Sequence, residues 1–242
     1  MAELAALWIV RHGESTANVA AQRASASGAE EVTRTERDAD VPLSPAGEDQ
    51  AHATRRWLTA LPPDRLPEVA VTSPYLRARR TAELALAGTG VPLSRDERLR
   101  DRDLGIFDRL TPHGVRVRHP EEHERRNRLG KFYYRPPGGE AWTDVALRLR
   151  GFLADLRHEH TGRRVMLFGH DVLVFLLSYL LDGLTEEELM ALGRRHVIAN
   201  CSISSWSADH SGHLRMNGFN EVSHLHPTQG RPAGGDQTHY GI

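Results

Sequence analysis

Cysteine is almost absent from this chain. Cys201 stands alone among 242 residues, which excludes an internal disulfide and any zinc site built on several cysteines. It also suits a reducing compartment. Lysine is equally scarce: Lys131 is the only one, so thirty of the 31 basic residues are arginines. At that abundance arginine carries no message by itself, and only arginines at defined positions count. Excess charge is missing too. The 31 basic and 32 acidic residues leave a net −1, which excludes a protein whose task is coating nucleic acid or an acidic membrane. No long apolar run exists. The longest, residues 165–181, is broken by Gly169, His170 and Asp171, and does not read as a membrane span. Met1 to Val10 is apolar but carries Glu3, lacks a basic start and runs into Arg11 without a cleavage site, so it does not read as a targeting segment. A cytoplasmic protein is expected.

What is present alternates between short apolar runs and amphipathic stretches, the pattern of βαβ units. The expected fold is α/β, a three-layer sandwich with a mostly parallel central sheet flanked by helices. Leu7 to Val10 predicts a strand ending at Arg11. Ser44-Pro45 predicts a helix start, with serine as cap and proline at the first helical position. Glu68 to Thr72 is the second predicted strand. Ser73-Pro74 repeats the cap-and-proline signal and opens a predicted helix through Ala87, closed by Gly88. Trp142, Val145, Leu149, Phe152, Leu153 and Leu156 recur at helical spacing, with Gly162 as the stop. Val165 to Phe168 is the third predicted strand, and Val172 to Leu181 a buried helix. Val197 to Trp206 predicts an edge strand paired with His213 to Phe219.

Three stretches resist this reading. Ala21 to Asp40 is polar, alanine-rich and without period, and reads as a loop. Residues 108–140 form a charged insertion, or cap, in which Arg109 to Arg135 carries a net +5. From Pro227 onward there is nothing to bury, so 227–242 reads as a disordered tail. At about 150 residues per domain the length allows one large domain or two small ones, and a single domain over residues 1–226 is expected. Nothing in the sequence sets the oligomeric state, a dimer included.

Two predicted strands end in histidine: Arg11-His12-Gly13 follows one and Gly169-His170 the other. A third ends at Ser73, with Arg77 one turn into the next helix. Ligands of open α/β sheets bind beyond the carboxyl ends of the strands, so Arg11, His12, Arg77 and His170 can converge although distant in sequence. Two arginines and two histidines buried together leave charge unpaired unless an anion joins them. The group asks for a phosphate. No G-x-x-x-x-G-K-[ST] run is present to supply one in another way. His210, His213, His224, His226 and His239 lie in polar sequence with no metal implied, and all but His224 read as solvated surface.

Arg11-His12-Gly13-Glu14-Ser15-Thr16-Ala17-Asn18 resembles the RHGxSxxN signature of the histidine phosphatase superfamily, the phosphoglycerate mutase-like clan. Further blocks follow in that family's order. Leu43 to Ala51 resembles LSxxGxxQA, and Ser73 to Ala82 the segment bearing the second phosphate-binding arginine. Leu99 to Gly105 resembles LxExxxG with Asp101 in place of Glu. Gly138-Gly139-Glu140, Gly169-His170 and Asn220 to Leu225 complete the set, with His224 in a structural role. The cap resembles fructose-2,6-bisphosphatase domains through His119 to Glu122 and Lys131 to Glu140. It departs from them at Pro112, where that family has a substrate-contacting Tyr, at Phe175, where it has an Arg, and at Asp171, which replaces a Gln.

The resemblance implies a cofactor-free, metal-independent phosphatase acting on a small phosphomonoester, a sugar phosphate being one class. Neutral His12 would attack phosphorus and become a phosphohistidine. Arg11 and Arg77 would hold the equatorial oxygens, and His170 would donate to the same group. Asn18 and Ser15 would add neutral donors, and Lys131 with Arg126 a contact to the rest of the substrate. Asp101 is the expected general acid; Asp171, directly after the second histidine, is the alternative. Two other functions share the fold: phosphoglycerate mutase-type phosphoryl transfer, and a non-catalytic module that binds phosphorylated ligands. Mutases of the clan carry a Gly-Asn-Ser-type run where Asp171-Val172-Leu173 stands here, which favours hydrolysis.

Overall fold

The computed structural model describes residues 4–226, so the tail expected over 227–242 lies outside the described residues. Six strands form one sheet in the order β3-β2-β4-β1-β5-β6. The parallel part is β1 (Ala6–Arg11), β2 (Val69–Thr72), β3 (Leu93–Arg95) and β4 (Arg164–Gly169). β5 (Ile203–Ala208) runs antiparallel beside β1, and β6 (Leu214–Glu221) antiparallel beside β5.

Strand side chains alternate between the two faces, and each face is covered. Leu7 and Ile9 of β1 and Val165 and Leu167 of β4 pack into one cluster with α6 (Trp142–Glu159) and α7 (Asp171–Leu181). Val10, Met166 and Phe168 face the other way, onto Leu58 of α2 (Pro45–Thr59) and Ala82, Ala85 and Leu86 of α3 (Leu76–Leu86). This is the expected three-layer α/β fold. α7 is buried along most of its length, from Val172 to Ser178, as its unbroken apolar sequence requires. Ser44 caps α2 as predicted, accepting from the Gly47 N–H at 3.1 Å with Pro45 at the first helical position.

Several sequence expectations need correction. Residues 21–27 are not loop: α1 spans Thr16–Ser27. Its start is fixed by a reciprocal box, the Asn18 N–H donating to Ser15 Oγ and the Ser15 N–H to Asn18 Oδ1. Only Ala24 of that helix is buried, so it has no apolar stripe for a period search to find. The predicted edge strand 197–206 begins only at Ile203 and is interior, because it pairs with β1 as well as β6. The predicted helix at 73–87 begins at Leu76, because Ser73 turns its hydroxyl to the Tyr75 N–H at 3.2 Å and not into the first helical turn. β3 was unmarked, being three residues long and exposed on two of them. Also unmarked was α8 (Glu186–Arg195), capped by Thr185.

The cap carries two short helices, α4 (Pro112–Arg118) and α5 (Pro120–Leu129). It is sewn to the strap of residues 28–41. The Val32 N–H donates to Arg109 O at 2.7 Å, and the Thr111 N–H to Glu30 O at 2.9 Å. Arg118 pairs with Glu30 at 2.7 Å and also with Glu31. Gly114 sits so close that a Cβ there would fall 2.0 Å from Glu30 O.

His224 takes the expected structural place, 3.3 Å from Thr54 Oγ1 and 6.0 Å from the Trp57 ring. Burial pushes its imidazole down to about 4, against an opposing backbone contact from Cys201. An unfolded histidine titrates near about 6.5, so the unfolded chain takes up this proton first as pH falls. The stabilisation is therefore whole above that value and lost as pH drops through about 4. The melting temperature is expected to fall less steeply between those limits in His224→Gln than in wild type, read by scanning fluorimetry.

Candidate active site

Strand register assembles the site. Arg11 of β1 pairs with Gly169 of β4, so the next residues, His12 and His170, leave the sheet side by side. Thr72 of β2 pairs with Phe168, which brings Ser73 to the same edge. A cavity of about 510 Å³ opens there, a size suited to a small ligand. Arg11, His12, Ser15, Asn18, Arg77, Asp101, Lys131 and Asp171 all line it. His170 is fully buried behind them, its ring 5.3 Å from that of His12. Arg126 is not among the lining residues.

His12 is 3% exposed. Its Nδ1 lies 2.7 Å from Gly13 O; a carbonyl only accepts, so Nδ1 carries the hydrogen and Nε2 keeps its lone pair. Burial holds this imidazole well below its ordinary range, and the charges of Arg77, His170 and Arg11 add to that, while the Gly13 contact opposes it. The ring is neutral at physiological pH. Arg11 donates one terminal nitrogen to Ile198 O, and its Nε is buried with no hydrogen-bond partner among the described residues.

Arg77 is 4% exposed and held by two carboxylates. Its Nη1 donates to the main-chain oxygen of Asp38 at 2.6 Å and to Asp38 Oδ1 at 3.3 Å. Its Nη2 reaches Asp38 Oδ2 at 3.3 Å and Asp101 Oδ2 at 2.9 Å. The same Asp101 oxygen lies 3.1 Å from His170 Nδ1, at an angle too poor for a hydrogen bond. Burial alone would raise the Asp101 carboxyl, but His170 and Arg77 hold it well below the usual carboxylate range. His170 Nε2 is satisfied at 2.9 Å by Ser73 Oγ.

The Gly-Gly-Glu block explains how the Asp101 loop is held. Glu140 binds Arg148 at 3.0 Å and Arg100 at 2.6 Å, while Arg148 Nη2 donates to Asp101 O at 3.1 Å. Gly105 turns beneath it at φ +54, where a Cβ would fall 2.1 Å from Pro137 O. Only glycine fits there.

Ser15 is 1% exposed and engaged with Asn18. The Asn18 carbonyl oxygen accepts from Ser15 and, at 3.3 Å, from Asn200 Nδ2, so its amide NH₂ is the group able to donate to a ligand. Lys131 lies over the Trp142 ring at 5.1 Å. Burial pushes its ammonium down to about 8, Arg126 and Arg102 add to the shift and Asp171 opposes it.

Three neighbours escaped the sequence reading. Arg102 lines the cavity with its Nε on Glu140 O at 2.7 Å, pushed down to about 10 by burial and by Arg126. Its adjacency to Asp101 was the one available signal. Asn200 holds His12 O at 3.0 Å and sits in no pattern that would mark it; Ser73, marked as a helix cap and strand end, holds His170 instead. Asp38 lay in a segment read as featureless loop.

The chain matches the model of the histidine phosphatase superfamily (branch 1) over residues 7–221. The Cronobacter sakazakii protein named "probable phosphoglycerate mutase GpmB" is 32% identical over 199 residues, covering 82% of each chain. Gallus gallus 6-phosphofructo-2-kinase/fructose-2,6-bisphosphatase is 28% identical over 75% of this chain, which spans 34% of that protein. Among solved structures, mycobacterial glucosyl-3-phosphoglycerate phosphatase in complex with VO3 superposes with a TM-score of 0.71 at 28% identity, over 90% of this chain and all of that one. The order of the motifs, the topology that brings them to one edge and a match spanning nearly the whole described chain agree, and the protein belongs to the histidine phosphatase superfamily, branch 1.

Proposed function

We propose that this protein is a phosphatase that hydrolyses a small phosphomonoester through a phosphohistidine on His12. The observation that carries this is the state of His12: neutral, pinned through Nδ1 to Gly13 O, and lining one cavity with Arg11 and Arg77. Its Nε2 lone pair forms the P–N bond as the P–O bond to the leaving group breaks. Arg11 and Arg77 hold the equatorial oxygens with fixed positive charge, and Asn18 adds a neutral donor. The leaving oxygen takes a proton from Asp101. In the second step water attacks phosphorus, its proton passes to the Asp101 carboxylate, and the P–N bond breaks. His170 and Arg77 hold Asp101 ionised. A bound phosphoryl dianion draws on the same cations and adds its own negative charge, and both effects raise the carboxyl toward its protonated form.

Hydrolysis of p-nitrophenyl phosphate in excess EDTA tests the reading. Turnover is expected without added metal, and a strict need for metal would overturn it. The match to a mutase-named relative supports phosphoryl transfer as the second reading. Incubation of 3-phosphoglycerate with catalytic 2,3-bisphosphoglycerate separates the two: 2-phosphoglycerate formed without phosphate release would reverse the choice. Tight vanadate binding with no turnover of any phosphomonoester would favour a non-catalytic module.

The cavity walls bear on the substrate. Pro112 and Phe175 both line it, so the hydroxyl and guanidinium that fructose-2,6-bisphosphatase domains place there are lacking, and that substrate is not proposed. Lys131 and Arg102, which both line the cavity, suit an anionic remainder. Lys131→Ala is expected to raise KM about tenfold for a sugar bisphosphate and to leave KM for p-nitrophenyl phosphate nearly unchanged. Equal changes on both substrates would assign Lys131 to the packing of the cap.

A further inference from the structure

Both terminal nitrogens of Arg77 are engaged by protein groups, and one of those groups has no part in the displacement proposed above. Asp101 has a place in that chemistry. Asp38 has none. It lies on the strap of residues 28–41 and puts one carboxylate oxygen against each terminal nitrogen of Arg77, at 3.3 Å and 3.3 Å. Two oxygens of a phosphoryl group would take the same places on the same fork.

The distances show which part of this contact is tight. Charge-assisted N–H to carboxylate bonds run at about 2.7–2.9 Å, so a matched pair at 3.3 Å is loosely held. The close contact is to the Asp38 main-chain oxygen, at 2.6 Å. The strap can therefore stay in place while the carboxylate swings away. A second cation is ready to receive it: Arg34 Nη1 holds Asp38 Oδ1 at 3.1 Å, and Arg34 is itself anchored to Asp108 at the start of the cap. The Asp38 side chain is 39% exposed against 5% for Arg77, so its way out is open and that of the arginine is not.

We propose, resting on the reading of this cavity as a phosphoryl site, that Asp38 is an internal anion that occupies the Arg77 fork and is displaced by the incoming phosphomonoester. It neutralises a deeply buried cation until substrate arrives. It also sets a threshold, because a ligand must compete with a tethered carboxylate for the fork. A dianionic phosphoryl group exceeds that threshold by its second charge, and a singly charged carboxylate ligand does not.

The test is the affinity for inorganic phosphate and orthovanadate, measured as competitive inhibition and by titration calorimetry, in wild type and Asp38→Asn. Asparagine keeps the volume and one acceptor but removes the charge. The variant is expected to bind both anions about threefold to tenfold more tightly, the scale of one partly exposed ion pair between neighbours. Weaker or equal binding would show that Asp38 only orients Arg77, and would overturn the proposal. If Asp38→Asn does not reach the wild-type melting temperature, Asp38→Ser is read in the same way. The two readings fail differently. A wild type that turns over p-nitrophenyl phosphate, with variants that bind no tighter, overturns only the role of Asp38. If neither protein binds vanadate nor turns over substrate, the phosphoryl site itself is overturned.

Discussion

His12→Ala is expected to lower turnover of p-nitrophenyl phosphate by a factor of ~10⁴ or more, the scale on which loss of a covalent nucleophile is felt. The cost falls on kcat. Arg11, Arg77 and Asn18 keep their places around the vacated ring, and orthovanadate should still bind within about tenfold of wild type, since anion affinity rests on those donors. Wild type quenched in mid-turnover should carry an acid-labile, base-stable phosphoryl group that His12→Ala lacks. Activity that survives in the folded variant would remove His12 from the chemistry. A variant that loses vanadate binding in parallel with turnover would instead give the ring a role in shaping the pocket.

The second large effect concerns the proton for the leaving group. Asp101→Asn is expected to slow hydrolysis of an alkyl phosphate by ~10²–10³-fold, within the usual range for general-acid loss. It should slow p-nitrophenyl phosphate far less, since nitrophenolate departs with little help. Asp171→Asn should show no such contrast. Asp101 is favoured by position: its Oδ2 lies 2.9 Å from Arg77 Nη2 and 3.1 Å from His170 Nδ1, beside the groups that would hold the phosphoryl oxygens. Asp171 stands nearer Lys131, with Oδ1 accepting from the Val172 N–H at 2.7 Å. A selective loss in Asp171→Asn, absent from Asp101→Asn, would exchange the two roles.

The parallel half of the sheet was legible because each of its buried strands is an unbroken apolar run followed by a polar turn residue. Arg11, His12, Arg77 and His170 stand at those strand ends or one turn beyond, where an α/β topology must bring them together; Asp101, six residues past β3, was marked only by the family resemblance. What escaped had no such marker. α1 carries a capping box but no apolar stripe, because most of it faces water. β3 is three residues long and is set by pairing with β2, not by its own composition. Arg126 shares its cap with Lys131, and charge alone could not tell the arginine behind the wall from the lysine within it. The position of His170 was foreseen. That its ring would be fully buried beside Asp101 was not, since side-chain rotation leaves no trace in sequence.

The stitching between the strap and the cap bears on how such enzymes exchange specificity. A cap that hung from the core by its two ends alone could be swapped as a cassette cut at residues 108 and 140. Here its first helix is fastened to Glu30 and Glu31, and the same strap delivers Asp38 to Arg77. Replacing 108–140 alone would strip Glu30 and Glu31 of Arg118, and would set a foreign side chain in place of Gly114 against the Glu30 carbonyl. The unit that must travel together is discontinuous, 28–41 with 108–140. Chimaeras that respect it should fold where single-segment swaps do not.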